Sequence, residues 1–229
     1  GGSVVLDGDE GRHAAAVVRL RPGERFYLSD GAGGRLLVEA QQVDKSSVRG
    51  RVVERVDEVL PDPRFVLVQA LAKGDRDEQA IESATELGVD EVVPWQAERS
   101  VVVWRGERAQ KSLAKWRAIV TRATKQSRRS RMPLTSDPVD LASLVGRARQ
   151  AALTLVLHED ATEPLAAVPL PESGDVLVVV GPEGGISDRE LAALTDAGAR
   201  PVRLGSTILR ASSAGPAALA VLSARARWA

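Results

Sequence analysis

The 229 residues predict an α/β protein in two parts: a small N-terminal β-barrel over residues 1–60, then a parallel sheet with helices over 64–229. Three observations carry this. Up to about residue 59, short β-type runs alternate with turn signals. Leu60-Pro61-Asp62-Pro63 then reads as a linker, because each proline removes a backbone donor and restrains the residue before it. Beyond it, continuous apolar runs alternate with segments of helical periodicity.

Taken in order, the β-type runs of the first part are Ser3–Leu6, Arg25–Leu28, Arg35–Val38 and Val48–Val53. Asp30-Gly31-Ala32-Gly33-Gly34 is the hairpin turn between two of them, since glycine adopts positive φ without steric cost. In the second part Phe65–Leu71 is a continuous strand, and Asp77–Leu87 is a helix with Ala80, Ile81, Ala84 and Leu87 on one face, stopped by Gly88. Val92-Val93 is the next strand. A long helix over 107–127 turns Leu113, Trp116, Val120 and Ala123 inward. Leu153–Leu157, Val176–Val180 and Pro201–Leu204 are further strands, with helices over 139–149, 188–197 and 213–227. Ser187 is the N-cap of one of these, with Glu190 completing a capping box.

Composition excludes several classes. An apolar content of 44% supports a sizeable core, whereas no apolar run reaches the roughly 18–20 residues of a membrane helix and no signal-peptide pattern opens the chain. There is no cysteine, and His13 and His158 lie far apart in the chain, so no metal site is expected and the location expected is cytoplasmic. Net charge is zero but unevenly spread. From Arg105 to Arg131 ten cations face the single acid Glu107, a net +9. Such a run is either a solvated helix face or a surface for phosphates.

The stretch Gly181-Pro182-Glu183-Gly184-Gly185 follows the apolar run 175–180 and precedes a capped helix. It matches neither dinucleotide nor P-loop patterns, which disfavours a phosphate cradle. Two readings stand: a tight strand-to-helix turn, or a loop whose bare main chain lets a ligand approach. Leu204-Gly205-Ser206-Thr207-Ile208-Leu209-Arg210 is a second glycine-bearing strand end, and two of them favour a shared pocket.

These residues carry a resemblance. GPEGGIS and RLGSTILRASSA, together with Lys73-Gly74-Asp75-Arg76, Ala84–Gly88, Glu98-Arg99-Ser100, Lys115-Trp116, Gln126-Ser127-Arg128 and His158-Glu159, resemble the RsmE family of 16S rRNA methyltransferases over nearly the whole chain. The resemblance implies S-adenosylmethionine (SAM) as methyl donor and N3 of a uridine in the small ribosomal subunit as acceptor. It also implies a PUA-like N-terminal barrel that binds RNA, a C-terminal SPOUT domain with a trefoil knot, and a homodimer. On it, Leu157, His158 and Glu159, then Gly181, Pro182, Glu183, Gly184, Gly185 and Ile186, then Leu204, Gly205, Ser206, Ile208, Leu209 and Arg210 hold the cofactor. Arg210 is the expected catalytic residue, stabilising charge on the uracil edge. Lys73, Arg76, Arg99, Lys125, Arg128, Arg129 and Arg131 are the expected RNA contacts.

Two departures from the family stand out. Ala211-Ser212-Ser213 replaces a Thr-Glu-Thr type run, and Ser212 cannot accept a proton as a carboxylate would, which leaves Glu183, Glu159 or water as the base. The sequence opens at Gly1-Gly2-Ser3, where relatives carry a short basic, aromatic arm. Ala217, Ala218, Leu219, Ala220 and Leu222 make a helix face small enough to pack on a second copy, and burial within one subunit would read the same way. The alternatives are a SPOUT enzyme acting on tRNA or a ribose hydroxyl, and a non-catalytic RNA-binding module.

Overall fold

The computed structural model describes residues 2–228; Gly1 and Ala229, the outer ends of the two expected domains, lie outside the described residues. The chain divides into two compact units, Gly1–Leu60 with Arg129–Met132, and Pro61–Arg128 with Pro133–Ala229.

In the first unit β1 (Ser3–Leu6), β2 (Arg25–Ser29), β3 (Gly34–Val43) and β4 (Val48–Asp57) form an antiparallel sheet of order β1-β4-β3-β2. Register shifts at Leu37/Val38 and Ala40/Gln42 bend the β3–β4 pair. Asp30 holds the β2–β3 turn by accepting from the N–H groups of Ala32 (2.7 Å) and Gly34 (3.0 Å). Those bonds, that of Ala32 foremost, hold its carboxyl below the usual range. A short helix α1 (Gly8–Arg12) runs into a π-helical turn over His13–Val17, where the sequence shows no helical periodicity. Its contribution is Ala14, which closes a core of Ala40 and Val48 flanked by Leu6, Leu20, Phe26 and Val43. So few apolar residues leave no period to read.

The second unit is a six-stranded parallel sheet. Its elements are β5 (Arg64–Ala70), α2 (Arg76–Glu86), β6 (Glu91–Trp95), α3 (Gly106–Gln126), β7 (Leu134–Thr135), α4 (Leu141–Gln150), β8 (Leu153–Leu157), β9 (Asp175–Val180), α5 (Asp188–Asp196), β10 (Arg200–Val202) and α6 (Ala211–Ala226). Strand order is β10-β8-β9-β5-β6-β7. Alternate residues of each strand serve opposite faces. Phe65, Leu67, Val176 and Val178 meet Ile81 of α2, Trp116 and Val120 of α3 and Leu219 of α6, while Val66, Val68, Leu177 and Val179 meet Leu144 of α4 and Leu194 of α5. Burial on both faces is why these strands read as continuous apolar runs.

Several boundaries differ from expectation for local reasons. The helix expected from Val139 begins at Leu141, because the Asp140 side chain accepts from Ser143 N–H (2.8 Å) and so caps it, while Val139 N–H joins the Pro94 carbonyl (2.9 Å). Strand β6 runs through Pro94, which is tolerated there because β7 pairs only with Glu91 and Val92. The strand expected over 201–204 spans Arg200–Val202, and Arg203 continues it only as an isolated bridge to Pro164, which leaves Leu204 to the following loop. Ala218, Leu219 and Leu222, read as a possible contact between copies, are fully buried in their own subunit.

Candidate active site

The strand order builds the site. Strands β8, β9 and β10 are neighbours, so the loops leaving their carboxyl ends come together, as ligand loops do in open α/β sheets. Strands β5 and β6 lie on the other side of β9, which brings their loops to the same edge. The result is a cleft of about 770 Å³, within the usual range for small-molecule sites.

Every residue from Gly181 to Ile186 lines it, with Leu157, His158 and Glu159 from the β8 loop and Leu204, Gly205, Ser206, Ile208, Leu209 and Arg210 from the β10 loop. Asp160, Asp188 and Arg203, which were not among the expected cofactor residues, also line it. Their only sequence signal was adjacency to the stretches already singled out. The main chain is bare here because side chains would not fit. A Cβ on Gly181 would lie 2.7 Å from Ile186 Cγ1, and Gly185 sits at φ +74°, where an L side chain is strained.

Arg76 and Arg99, expected to contact RNA, belong to the cleft wall. Arg76 Nη1 is 3.1 Å from Glu183 Oε1, and the same oxygen accepts from Lys73 N–H at 2.9 Å. Arg99 Nη1 donates to the carbonyls of Gly184 (3.2 Å) and Ile186 (3.5 Å). Both arginines therefore clamp the glycine loop from the β5 and β6 sides. The Lys73 side chain is exposed.

A buried carboxylate braces that clamp. Glu190, with no exposed surface, accepts from Ser187 N–H (2.9 Å), closing the capping box, and from Glu98 N–H (2.7 Å) of the β6 loop. Glu98 in turn accepts from Ser187 Oγ at 2.5 Å and from Arg189. The Ser187 and Arg189 bonds hold the Glu98 carboxyl below its ordinary range. The capping box was legible locally; the bond to a residue 92 positions away was not.

His158 Nδ1 accepts from Asp160 N–H at 3.2 Å, which places the proton of the neutral ring on Nε2. Asp77, 6% exposed, accepts from the N–H groups of Glu78 (3.0 Å) and Ala72 beneath the Lys73–Arg76 loop. Burial pushes its carboxyl from 3.8 up to about 6. The folded chain then holds this proton more tightly than the unfolded chain, so the group's stabilising contribution is greatest below about pH 4 and is lost through about pH 6. The gap of about two units predicts that the stability difference between Asp77→Asn and the parent shifts by about 2 kcal/mol between those pH values. Urea unfolding at both ends checks it, and a pH-independent difference refutes it.

The basic run is less bare than its count of charges suggests. Lys115 Nζ lies 2.7 Å from Glu78 and 3.6 Å from Asp75, Arg122 pairs with Glu82 (3.0 Å), and Arg117 with Asp137 (3.6 Å). The net +9 along the chain thus overstates the field, since acids from α2 lie beside α3. Lys125 and Arg128, at the end of α3, are outside the cleft lining. Arg129 and Arg131 belong to the first unit, where Arg131 Nη2 donates to the Glu58 carbonyl (3.0 Å). Among the described residues no group of three or more His, Asp or Glu is placed to hold a metal.

A family profile described as "RNA methyltransferase domain" matches residues 60–223, and one described as "RNA methyltransferase PUA domain" matches 6–53. The chain is 46% identical to the ribosomal RNA small subunit methyltransferase E of Mycobacterium bovis, across 100% of this chain and 89% of that one. The chain belongs to the RsmE family. Another RsmE protein, of Bacillus subtilis, is 30% identical over 95% of this chain and 88% of its own length. Among solved structures, the RsmE of Neisseria gonorrhoeae bound to S-adenosyl methionine superposes with a TM-score of 0.84 at 28% identity, over 98% of this chain and 92% of that one. The parallel sheet, the clefted strand ends and the N-terminal PUA unit are thus those of RsmE proteins.

Proposed function

We propose that the cleft binds SAM and that the chain transfers its methyl group to N3 of a uridine in 16S rRNA of the small ribosomal subunit. The observation that carries this reading is the convergence of three bare or apolar strand-end loops on one cleft, in a chain of this family. The residues suit the group. Gly181, Gly184 and Gly185 leave main chain accessible, Leu157, Val180, Leu204 and Ala214 offer apolar surface to a purine, and Glu159, Asp160 and Asp188 offer negative charge to an ammonium and a sulfonium. When bound, SAM supplies an electrophilic methyl group on positively charged sulfur.

The chain's own residues then position and stabilise. Uridine N3 would have to lose its proton before it could accept the methyl group, so negative charge would collect on the uracil oxygens. The Arg210 side chain, exposed in the cleft and without a hydrogen bond or ion pair among the described residues, would meet that charge. Of the two carboxylates that, beside water, are candidates for the base, Glu183 is committed to Lys73 N–H and Arg76, whereas Glu159 lines the cleft free of such partners among the described residues.

Arg128 is the RNA contact with the sharpest test. It follows α3 at φ +57°, a helix-ending position that glycine fills without strain. Arg128→Gly is expected to gain about 1 kcal/mol of stability while weakening RNA binding and lowering its salt dependence. Unfolding and salt titrations measure both; unchanged RNA affinity removes Arg128 from the contact set.

The same reading places the protein in the cytoplasm as a homodimer. No helix among the described residues is long and apolar enough to cross a membrane. Ile208, 79% exposed, and the half-buried Ala217 and Ala220 supply apolar surface for a second copy. Sedimentation at micromolar concentration distinguishes dimer from monomer. Mass mapping of 16S rRNA from a strain lacking the gene, before and after adding the protein and SAM, tests the activity: a new methyl on a uridine base supports it, and a ribose methyl or none refutes it.

A further inference from the structure

The outer face of the N-terminal sheet carries a cluster that methyl transfer does not use. Strand alternation and register put Arg25, Tyr27 and Ser29 of β2 opposite Glu39, Leu37 and Arg35 of β3, with Arg51 of β4 facing Glu39. Tyr27 is the one tyrosine of the chain and is 60% exposed. The Arg35 guanidinium carbon lies 4.6 Å from its ring centroid. The Tyr27 hydroxyl makes no hydrogen bond among the described residues. β propensity accounts for an aromatic on a strand, but not for one left largely in water under a guanidinium.

The charges around it are loosely held. Arg25 and Arg51 share the single carboxylate of Glu39 at 3.5 and 3.4 Å, and Arg35 reaches Glu58 only at 3.8 Å. Exposed pairs of this length hold little energy, so a phosphate can replace either carboxylate at small cost. An exposed ring stacked with a guanidinium and flanked by two more cations is the chemistry that binds an unpaired base with its backbone. Bases in a duplex are already stacked and offer no free face.

We propose that this face binds one unpaired nucleotide of the RNA substrate, its base on Tyr27 and Arg35 and its phosphates on Arg25 and Arg51. The proposal rests on the reading of the chain as an rRNA-modifying enzyme, and it adds a contact far in sequence from the cleft loops.

The test uses the full chain and a short single-stranded RNA of mixed sequence beside the duplex of the same strand, with affinity read by fluorescence anisotropy. Tyr27→Ala is expected to weaken single-strand binding by roughly 5- to 100-fold, to spare duplex binding, and to leave SAM binding by calorimetry unchanged. Tyr27→Trp retains parental affinity, and Arg51→Gln lowers the salt slope by about one. Tyr27→Ala binding single strands as the parent does, or losing single strand and duplex alike, overturns the proposal. If the parent binds single strands through Tyr27 yet takes no SAM, the face stands and methyl transfer falls. If the parent methylates rRNA and Tyr27→Ala binds and methylates equally well, the face falls alone.

Discussion

Arg210→Ala is expected to lower single-turnover methyl transfer by about 10²- to 10³-fold, the usual cost of deleting one preorganised charge stabiliser, with SAM affinity staying within a few-fold of the parent. The structure separates these effects. Arg210 contributes to the fold through its main chain, its carbonyl accepting from Ser213 N–H (2.9 Å) and Ala214 N–H (3.0 Å) at the start of α6. Alanine keeps both bonds. A cation at a helix N-terminus is moreover disfavoured by the helix dipole, so its removal is expected to leave stability equal or slightly higher. Loss of activity with no loss of stability is therefore the signature. An unchanged methylation rate refutes the role, and a collapse of SAM binding would move Arg210 from the reaction to the cofactor's binding.

Gly181→Ala is expected to lower SAM affinity more than tenfold and to cost about 1–3 kcal/mol of stability. The added Cβ would meet Ile186 Cγ1 at 2.7 Å and Ile186 N at 3.3 Å. Ile186 cannot yield, because it is 4% exposed and packed in the core on the α4–α5 side of the sheet. The loop from Gly181 to Ile186 must therefore move, and it is one wall of the cleft. Gly205→Ala is the contrasting case: nothing lies within 4 Å of its Cβ, so only the strain of φ +68° is added. Calorimetry with SAM and urea unfolding read both variants. Parental SAM binding in Gly181→Ala would mean that the loop does not shape the cofactor site.

The cleft lining was legible because glycine-rich strand ends are local signals. GPEGG and the 204–210 stretch each advertise accessible main chain without reference to the rest of the molecule. The Ser187–Glu190 capping box was legible for the same reason. That Arg76 and Arg99, expected as RNA contacts, grip the glycine loop was not legible, because their partners, Glu183 and the carbonyls of Gly184 and Ile186, are about 85 to 107 positions away. The charge of α3 was overstated because a count along the chain cannot see Glu78 and Glu82 on the neighbouring α2. The short helical segment over 8–17 was missed because it contributes little apolar surface, so no periodicity marks it.

Local chemistry by itself determined the runs that become strands and helices, the capped start of α5, and the two loops stripped of side chains. Those features depend on residues within a few positions of one another. Strand order alone decided that β8, β9 and β10 lie side by side, that Arg76 and Arg99 grip the glycine loop, and that Ala218, Leu219 and Leu222 are spent on their own core. Order in a parallel sheet is set by which apolar faces bury one another across long crossovers, a competition among distant segments that no short window of sequence contains.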